Sequence, residues 1–319
     1  MTKPRVICTR KWPERVEAAM AEAFDTTLNG PDEAMSQEAL IAALNEYDAV
    51  CTTVTDKVDA TVLAAPGRAK VLGQFGVGFN NIDTEAAKAA GLTVTNTPGV
   101  LTDATADIAL TLLLNVARRT YEGEAMLRAG QWTGWRPTQL MGVSPQGKTL
   151  GIIGMGRIGK AMAKRCHHAL DMKIVFFDAF PVADPGVPAE QLATIEEVLG
   201  VSDFVSLHCP GGGENIGLIN AARLAVMKPG AIIVNSARGD VIDEAALVAS
   251  LQSGHTGGAG LDVFQREPAV TEALMSMPNV CLLPHLGSAT IETREAMGFT
   301  VLRNLEAFFA GQEPPNRVV

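Results

Sequence analysis

The sequence has no run of apolar residues approaching the roughly eighteen that a membrane-spanning helix needs. Its first twenty residues, MTKPRVICTRKWPERVEAAM, also lack the apolar core of a secretory signal. Positive charge is in deficit: 26 Lys and Arg against 35 Asp and Glu leave a net charge of −9, which argues against a nucleic-acid backbone or an anionic membrane as partner. Cysteine is sparse. The five present, at 8, 51, 166, 209 and 281, are odd in number and lie mostly inside apolar runs, so reduced core thiols and a cytoplasmic setting are expected rather than a disulfide framework. No Cys or His spacing suggests a metal site, and there is no low-complexity tract or short-period repeat. What is there is length and apolarity: 319 residues, 47% hydrophobic, enough for two ordinary domains.

The apolar residues fall into short runs. In the first part of the chain RVICT (5–9), AVCTT (49–53), VLGQF (71–75) and TVTNT (93–97) alternate with helical patterns such as MSQEALIAALNEY (35–47) and TEAAKAAGL (84–92). In the second, TLGII (149–153), KIVFFD (173–178), DFVSLH (203–208), AIIVN (231–235), GGAGLD (257–262) and NVCLL (279–283) do the same. Strands alternating with helices predict an α/β fold with parallel, doubly wound sheets. Residues 103–119 read as one helix, capped by Thr102 or Asp103, with leucines on nearly every side and hence a buried environment. The segment 130–148 has no clean period, and residues 288–311 form an amphipathic helix expected to return to the first domain.

Each second-half strand empties into glycine or polar residues at its carboxyl end, where open parallel sheets bind ligands. The loop Gly154-Met155-Gly156-Arg157-Ile158-Gly159 follows a strand and opens a helix. Gly154 permits the tight turn, Gly156 lets a pyrophosphate approach the backbone, and Gly159 allows close helix packing. Asp178 ends the next strand, where a carboxylate accepts from ribose hydroxyls and repels a 2′-phosphate, so NAD is expected and NADH over NADPH. Beyond the last three strands stand Arg238, Glu267 and His285. A guanidinium, a carboxylate and an imidazole held together can bind a 2-oxo acid and exchange a proton with its carbonyl.

Over essentially its whole length the chain resembles the D-isomer-specific 2-hydroxyacid dehydrogenases. The stretches that carry the resemblance are QFGVGFNNID (74–83), TNTPGVLTDATADIAL (95–110), GKTLGIIGMGRIG (147–159), MKPGAIIVNSARGDVIDEAAL (227–247), GAGLDVFQREP (258–268) and LLPHLGSAT (282–290). The QFGVGFNNID and NTPGVLTDATAD wordings, with Trp132, Trp135 and Pro137, look most like the glyoxylate/hydroxypyruvate reductase branch. The resemblance implies a Rossmann NAD-binding domain over 99–287 and a smaller, flavodoxin-like substrate domain assembled from 1–98 and 288–319. It implies Arg238 on the substrate carboxylate and carbonyl, His285 as acid/base, and Glu267 on the other ring nitrogen. It further implies carboxylate donors from the amides of Val77 and Gly78, Ser288 at the pocket edge, and Asp262 with the Ala237 carbonyl on the nicotinamide carboxamide. Trp135 would reach the partner's active site in a homodimer.

Blander readings compete. His167, His168, His208 and His255 have no partnering motif and are expected to be structural. The stretch PGGGENIG (210–217) departs from the family's bulkier loop, so no cofactor contact is placed on Gly211, Gly212 or Gly213. Among enzymes the alternative is D-3-phosphoglycerate dehydrogenase or another 2-hydroxyacid member, disfavoured by the lack of a regulatory module and of a basic cluster near QFGVG. From a different class, an NAD(H)-sensing co-repressor shares the fold; the expectation of an enzyme rests on the absence of disordered flanks.

Overall fold

The computed structural model describes residues 2–64 and 67–319. The chain divides into two compact units, one of Met1–Leu101 with Ala289–Val319 and one of Thr102–Ser288. No helix among the described residues is long and apolar enough to cross a membrane.

Unit 1 holds β1 (Arg5–Cys8), β2 (Asp25–Thr27), β3 (Ala49–Cys51), β4 (Val71–Gly73) and β5 (Thr93–Thr95) in the order β2-β1-β3-β4-β5, all parallel. This is the 2-1-3-4-5 order of flavodoxin-like sheets, which reverses direction between β1 and β3. Side chains alternate across the sheet. Val6, Cys8 and Val71 join one core with Met20, Val301 and Leu305, whereas Val50, Leu72 and Val94 join the other with Leu40 and Leu44. The helix Ile291–Phe309 supplies Val301 and Leu305 and packs on the helix Glu14–Ala23 and on β4, its first turn capped by Thr290, whose hydroxyl accepts from Thr293 N.

Unit 2 holds β6 (Thr149–Ile153), β7 (Lys173–Phe177), β8 (Ala189–Gln191), β9 (Phe204–Leu207), β10 (Ile232–Asn235), β11 (Gly258–Leu261) and β12 (Val280–Leu282). Their order, β12-β11-β10-β9-β6-β7-β8, is parallel throughout. Counted from β6 it is the 3-2-1-4-5-6 Rossmann arrangement with a seventh strand added, and it reverses between β6 and β9. The central strands are buried on both faces, which is why they read as unbroken apolar runs. The helix Thr102–Arg118 lies on one face. Its approach depends on β11: a Cβ at Gly260 would stand 2.8 Å from Leu112 Cβ, and one at Gly258 2.5 Å from Val116 Cγ1.

That helix differs from expectation in two ways. It begins at Thr102, which places Thr102 and Asp103 inside the first turn. Only one face is fully buried, through Ala106, Ala109, Leu112, Leu113 and Ala117, while Asp103 and Asp107 face outward and pair with Arg165 at 3.0 and 2.6 Å. Two strands and one helix also go beyond the sequence reading. β2 and β8 are short, polar edge strands with no apolar signature, and the helix Thr120–Arg128 buries no residue, so neither carries a periodic signal. Residues 131–143 form no regular element apart from turns. All five cysteines are free thiols.

Candidate active site

The ends of β10, β11 and β12 are aligned by register: Asn235 opposes Leu261, and Leu261 opposes Leu282. Arg238, Glu267 and His285 all follow these ends. At β10 the buried Asn235 shapes the turn, its Oδ1 accepting from Ala237 N at 3.0 Å and its Nδ2 donating to Arg238 O at 2.8 Å. The following Gly239 is required by contact, because a Cβ there would fall 1.9 Å from Phe264 C. The Arg238 turn therefore packs directly on the segment leading to Glu267.

Glu267 uses both carboxylate oxygens. Oε1 accepts from Phe264 N at 3.0 Å, and Oε2 lies 2.8 Å from His285 Nδ1. Burial raises the Glu267 pKa, but the hydrogen bond and charge of His285, the Phe264 amide and the charge of Arg238 outweigh it and hold the carboxyl below the ordinary range. With a carboxylate as its partner, Nδ1 is the donor, and Nε2 is the ring nitrogen available for chemistry. The two side chains remain about one-third exposed, 34% for His285 and 33% for Glu267, so a small molecule can reach them. Arg238 is lowered by burial against the opposing charges of Glu267 and Asp240; at neutral pH it stays a cation.

His285 adopts a left-handed backbone, φ +55°, which a β-carbon residue takes only when its surroundings enforce it. Asp262, fully buried at the end of β11, does so. Its carbonyl accepts from His285 N at 2.9 Å, its Oδ1 from Leu286 N at 2.6 Å and its Oδ2 from Gly287 N at 2.8 Å. Burial raises the Asp262 pKa in spite of these donors. Sequence reasoning gave Asp262 to the nicotinamide; the structure shows it first as the brace of the histidine turn. A second buried carboxylate, Glu244, braces the other side, its Oε1 accepting from Gln265 N at 2.6 Å and its Oε2 from Thr271 Oγ1. Glu244 had no signal in sequence, because what it does depends on which loop folds over it.

At the β6 and β9 ends, Gly154 has φ +95° and a Cβ on it would lie 2.6 Å from Cys209 N. A Cβ on Gly159 would lie 2.2 Å from Gly154 O, whereas Gly156 faces open space. The helix Arg157–Leu170 starts at Gly156 with no side-chain cap, leaving the amides around Arg157 and Ile158 for an anion. These features fit a dinucleotide pyrophosphate. Asp178 closes β7, its Oδ2 accepting from Met155 N at 2.8 Å and its Oδ1 from Phe180 N at 3.1 Å. The Ala237 carbonyl accepts from Arg238 Nη1 at 2.6 Å.

The triple-glycine loop is anchored. Asp240 Oδ2 accepts from Gly212 N at 2.8 Å, and a Cβ on Gly211 would stand 2.4 Å from Asp240 Oδ1 and 2.7 Å from Arg238 Cβ. Three of the other histidines have structural partners: His167 with Met172 O, His208 with Ser206 Oγ and His255 with Leu224 O. Ser288 is the last residue of unit 2, and Trp135 is 80% exposed. Val77 and Gly78 belong to unit 1. A cavity of about 300 Å³ opens at the amino ends of β10 to β12 beside Asn115, Gly230, Gly257 and Asn279, and none of the candidate catalytic residues lines it.

Residues 110–287 match the family described as D-isomer specific 2-hydroxyacid dehydrogenase, NAD binding domain. A glyoxylate reductase of Thermococcus litoralis is 45% identical over 99% of this chain and 97% of its own. The chain belongs to the D-isomer specific 2-hydroxyacid dehydrogenase family. Solved relatives agree in fold across both units. A glyoxylate reductase from Paecilomyes thermophila aligns with a TM-score of 0.89 at 31% identity, covering 100% of this chain and 99% of that one. An NADPH-dependent glyoxylate/hydroxypyruvate reductase from Sinorhizobium meliloti, crystallised with NADP and malonate, aligns with a TM-score of 0.90 at 35% identity, covering 100% and 97%. The protein is thus a dehydrogenase acting on 2-oxo and 2-hydroxy acids, with a dinucleotide-binding Rossmann unit.

Proposed function

We propose that the protein reduces glyoxylate and hydroxypyruvate to the corresponding 2-hydroxy acids, D-configured where the product is chiral, with NADH preferred over NADPH. The observation that carries this reading is the 2.8 Å contact between Glu267 Oε2 and His285 Nδ1, beside Arg238, at the aligned ends of three adjacent strands. When bound, the dinucleotide supplies the hydride that reaches the carbonyl carbon. His285 Nε2 delivers the proton to the carbonyl oxygen. Glu267 fixes the ring's tautomer and stabilises the imidazolium before the proton leaves. Arg238 grips the carboxylate and polarises the carbonyl through a planar fork that lysine lacks. In unit 1 the amides of Val77 and Gly78 are further donors for the carboxylate. Ser288 borders the pocket, and Asp262 and the Ala237 carbonyl take the carboxamide as second acceptor roles.

Support for NADH is Asp178, followed by Ala179 and Phe180, which offer no cation to a 2′-phosphate; the S. meliloti relative, by contrast, is named as NADPH-dependent. Support for a small, unphosphorylated acid is the stretch 74–83, which contains no Lys or Arg. A homodimer is supported by the exposed apolar side chains Leu127, Trp132, Trp135, Met141 and Val143 clustered in one stretch of sequence. A cytoplasmic setting is supported by the five free thiols. The test is a spectrophotometric screen of NADH and NADPH oxidation against glyoxylate, hydroxypyruvate, pyruvate and phosphohydroxypyruvate. The first two with NADH should give the highest kcat/KM. A preference for the phosphorylated acid would overturn the substrate assignment.

A further inference from the structure

After β4, two consecutive peptide groups are tied back by their carbonyls. Asn96 Nδ2 donates to Val77 O at 2.8 Å, and Gln74 Nε2 donates to Gly78 O at 3.1 Å. These two peptides carry the N–H groups of Gly78 and Phe79, and the Val77 N–H sits on the peptide before them, whose Gly76 carbonyl accepts from Thr97 N at 3.0 Å; among the described residues, the N–H groups of Val77, Gly78 and Phe79 meet no acceptor in the chain. Backbone donors left unpaired in a folded loop are rare unless they face solvent or a ligand.

The orientation of the tying amides is fixed from the far end. Asn81 Nδ2 donates to Thr53 O at 3.0 Å and to Asp56 O at 2.8 Å. Those acceptors are both carbonyls, so the Asn81 side-chain oxygen must point the other way, toward Gln74. It accepts from Gln74 Nε2 at 2.9 Å, which leaves Gln74 Oε1 to accept from Thr52 Oγ1 at 2.7 Å. Gln74 is fully buried, and both amide protons are committed. The chain of amides admits one arrangement, and that arrangement places a donor under the Gly78 carbonyl.

We propose that Gln74, together with Asn96, is a positioning residue for the substrate carboxylate: Asn96 holds the peptide that joins the Val77 carbonyl to the Gly78 N–H, Gln74 holds the next one, which joins the Gly78 carbonyl to the Phe79 N–H, and with both carbonyls turned inward the N–H groups of this loop stand ready for a small carboxylate. This rests on the proposed reduction of 2-oxo acids. Because the clamp is uncharged, the loop binds one anionic group through dipoles and supplies no counter-charge for a second, which favours glyoxylate and hydroxypyruvate over a phosphorylated acid.

The test uses the full chain with Gln74→Met, which keeps length and loses the hydrogen bonds, and Asn96→Ala, which removes the other tie. Glyoxylate kinetics, NADH affinity by fluorescence and oxalate affinity by calorimetry are measured for each. KM for glyoxylate and Kd for oxalate should rise roughly tenfold, with kcat within about threefold and NADH affinity unchanged; general loosening would instead lower kcat and NADH affinity together. Should Gln74→Met fail to fold, Asn96→Ala decides the matter alone. A parent that reduces glyoxylate, with variants whose KM and oxalate Kd match it, would overturn the clamp and leave the function standing. A parent inactive on every 2-oxo acid would overturn the function, and oxalate binding would then decide the clamp by itself.

Discussion

Glu267 Oε2 and His285 Nδ1 lie 2.8 Å apart in a contact that holds the glutamate below its ordinary value of 4.5 despite burial. A carboxyl whose folded pKa is depressed adds stability above the unfolded value, and that stability is lost as pH falls through the folded one. The gap in denaturation midpoint between the parent and Glu267→Gln should therefore be widest near neutrality and close on acidification below about 4.5. A gap that is constant with pH would show that the charge of Glu267 contributes nothing.

His285→Ala removes the proton donor and leaves the glycine loop and Asp178 in place. Turnover should fall about a hundredfold or more, as for loss of a general acid, while NADH titrations give the parent's affinity. Near-parental activity across the pH range would remove His285 from the chemistry.

Asp178→Ser combined with Ala179→Arg removes a carboxylate and adds a cation where a 2′-phosphate would sit. The ratio of kcat/KM for NADH to that for NADPH should shrink or invert. Because Asp178 also accepts from Met155 N at 2.8 Å, absolute affinity for both dinucleotides should drop as the glycine loop loses a tie. An unchanged ratio would place the discriminating contact elsewhere.

Gly211→Ala tests the departure from the family's usual loop. The added methyl would sit 2.7 Å from Arg238 Cβ and 2.4 Å from Asp240 Oδ1, so either the loop or Arg238 must move. Overpacking of this kind destabilises by about 1–3 kcal/mol. KM for glyoxylate should rise along with a lower melting temperature, and a variant with parental KM would show that the shift spares Arg238.

Much of this architecture was legible in the sequence because parallel strands buried on both faces read as apolar runs, as in IIVN at β10. The edge strands β2 and β8 were not, since DTT and AEQ bury almost nothing. The site divided along similar lines. Arg238, Glu267 and His285 stood out because each follows a strand end, where chain position alone predicts a ligand. Gly239 and Glu244 did not, because their work is done against loops 20 or more residues away, as with the Gln265 amide on Glu244 and the Phe264 backbone against Gly239. Thr102 and Asp103 misled as caps for a local reason: the helix starts one residue earlier than its polar entry suggests.

The buried Glu244 carboxylate, which grips the Gln265 amide and the Thr271 hydroxyl on either side of Glu267, has a thermodynamic consequence. The conformational entropy of the acidic loop is surrendered once, when the chain folds, and is not surrendered again in each reaction cycle. Substrate arrival then has only the substrate's own freedom to restrict, and binding energy that would have ordered Glu267 remains for the approach of the carbonyl to His285.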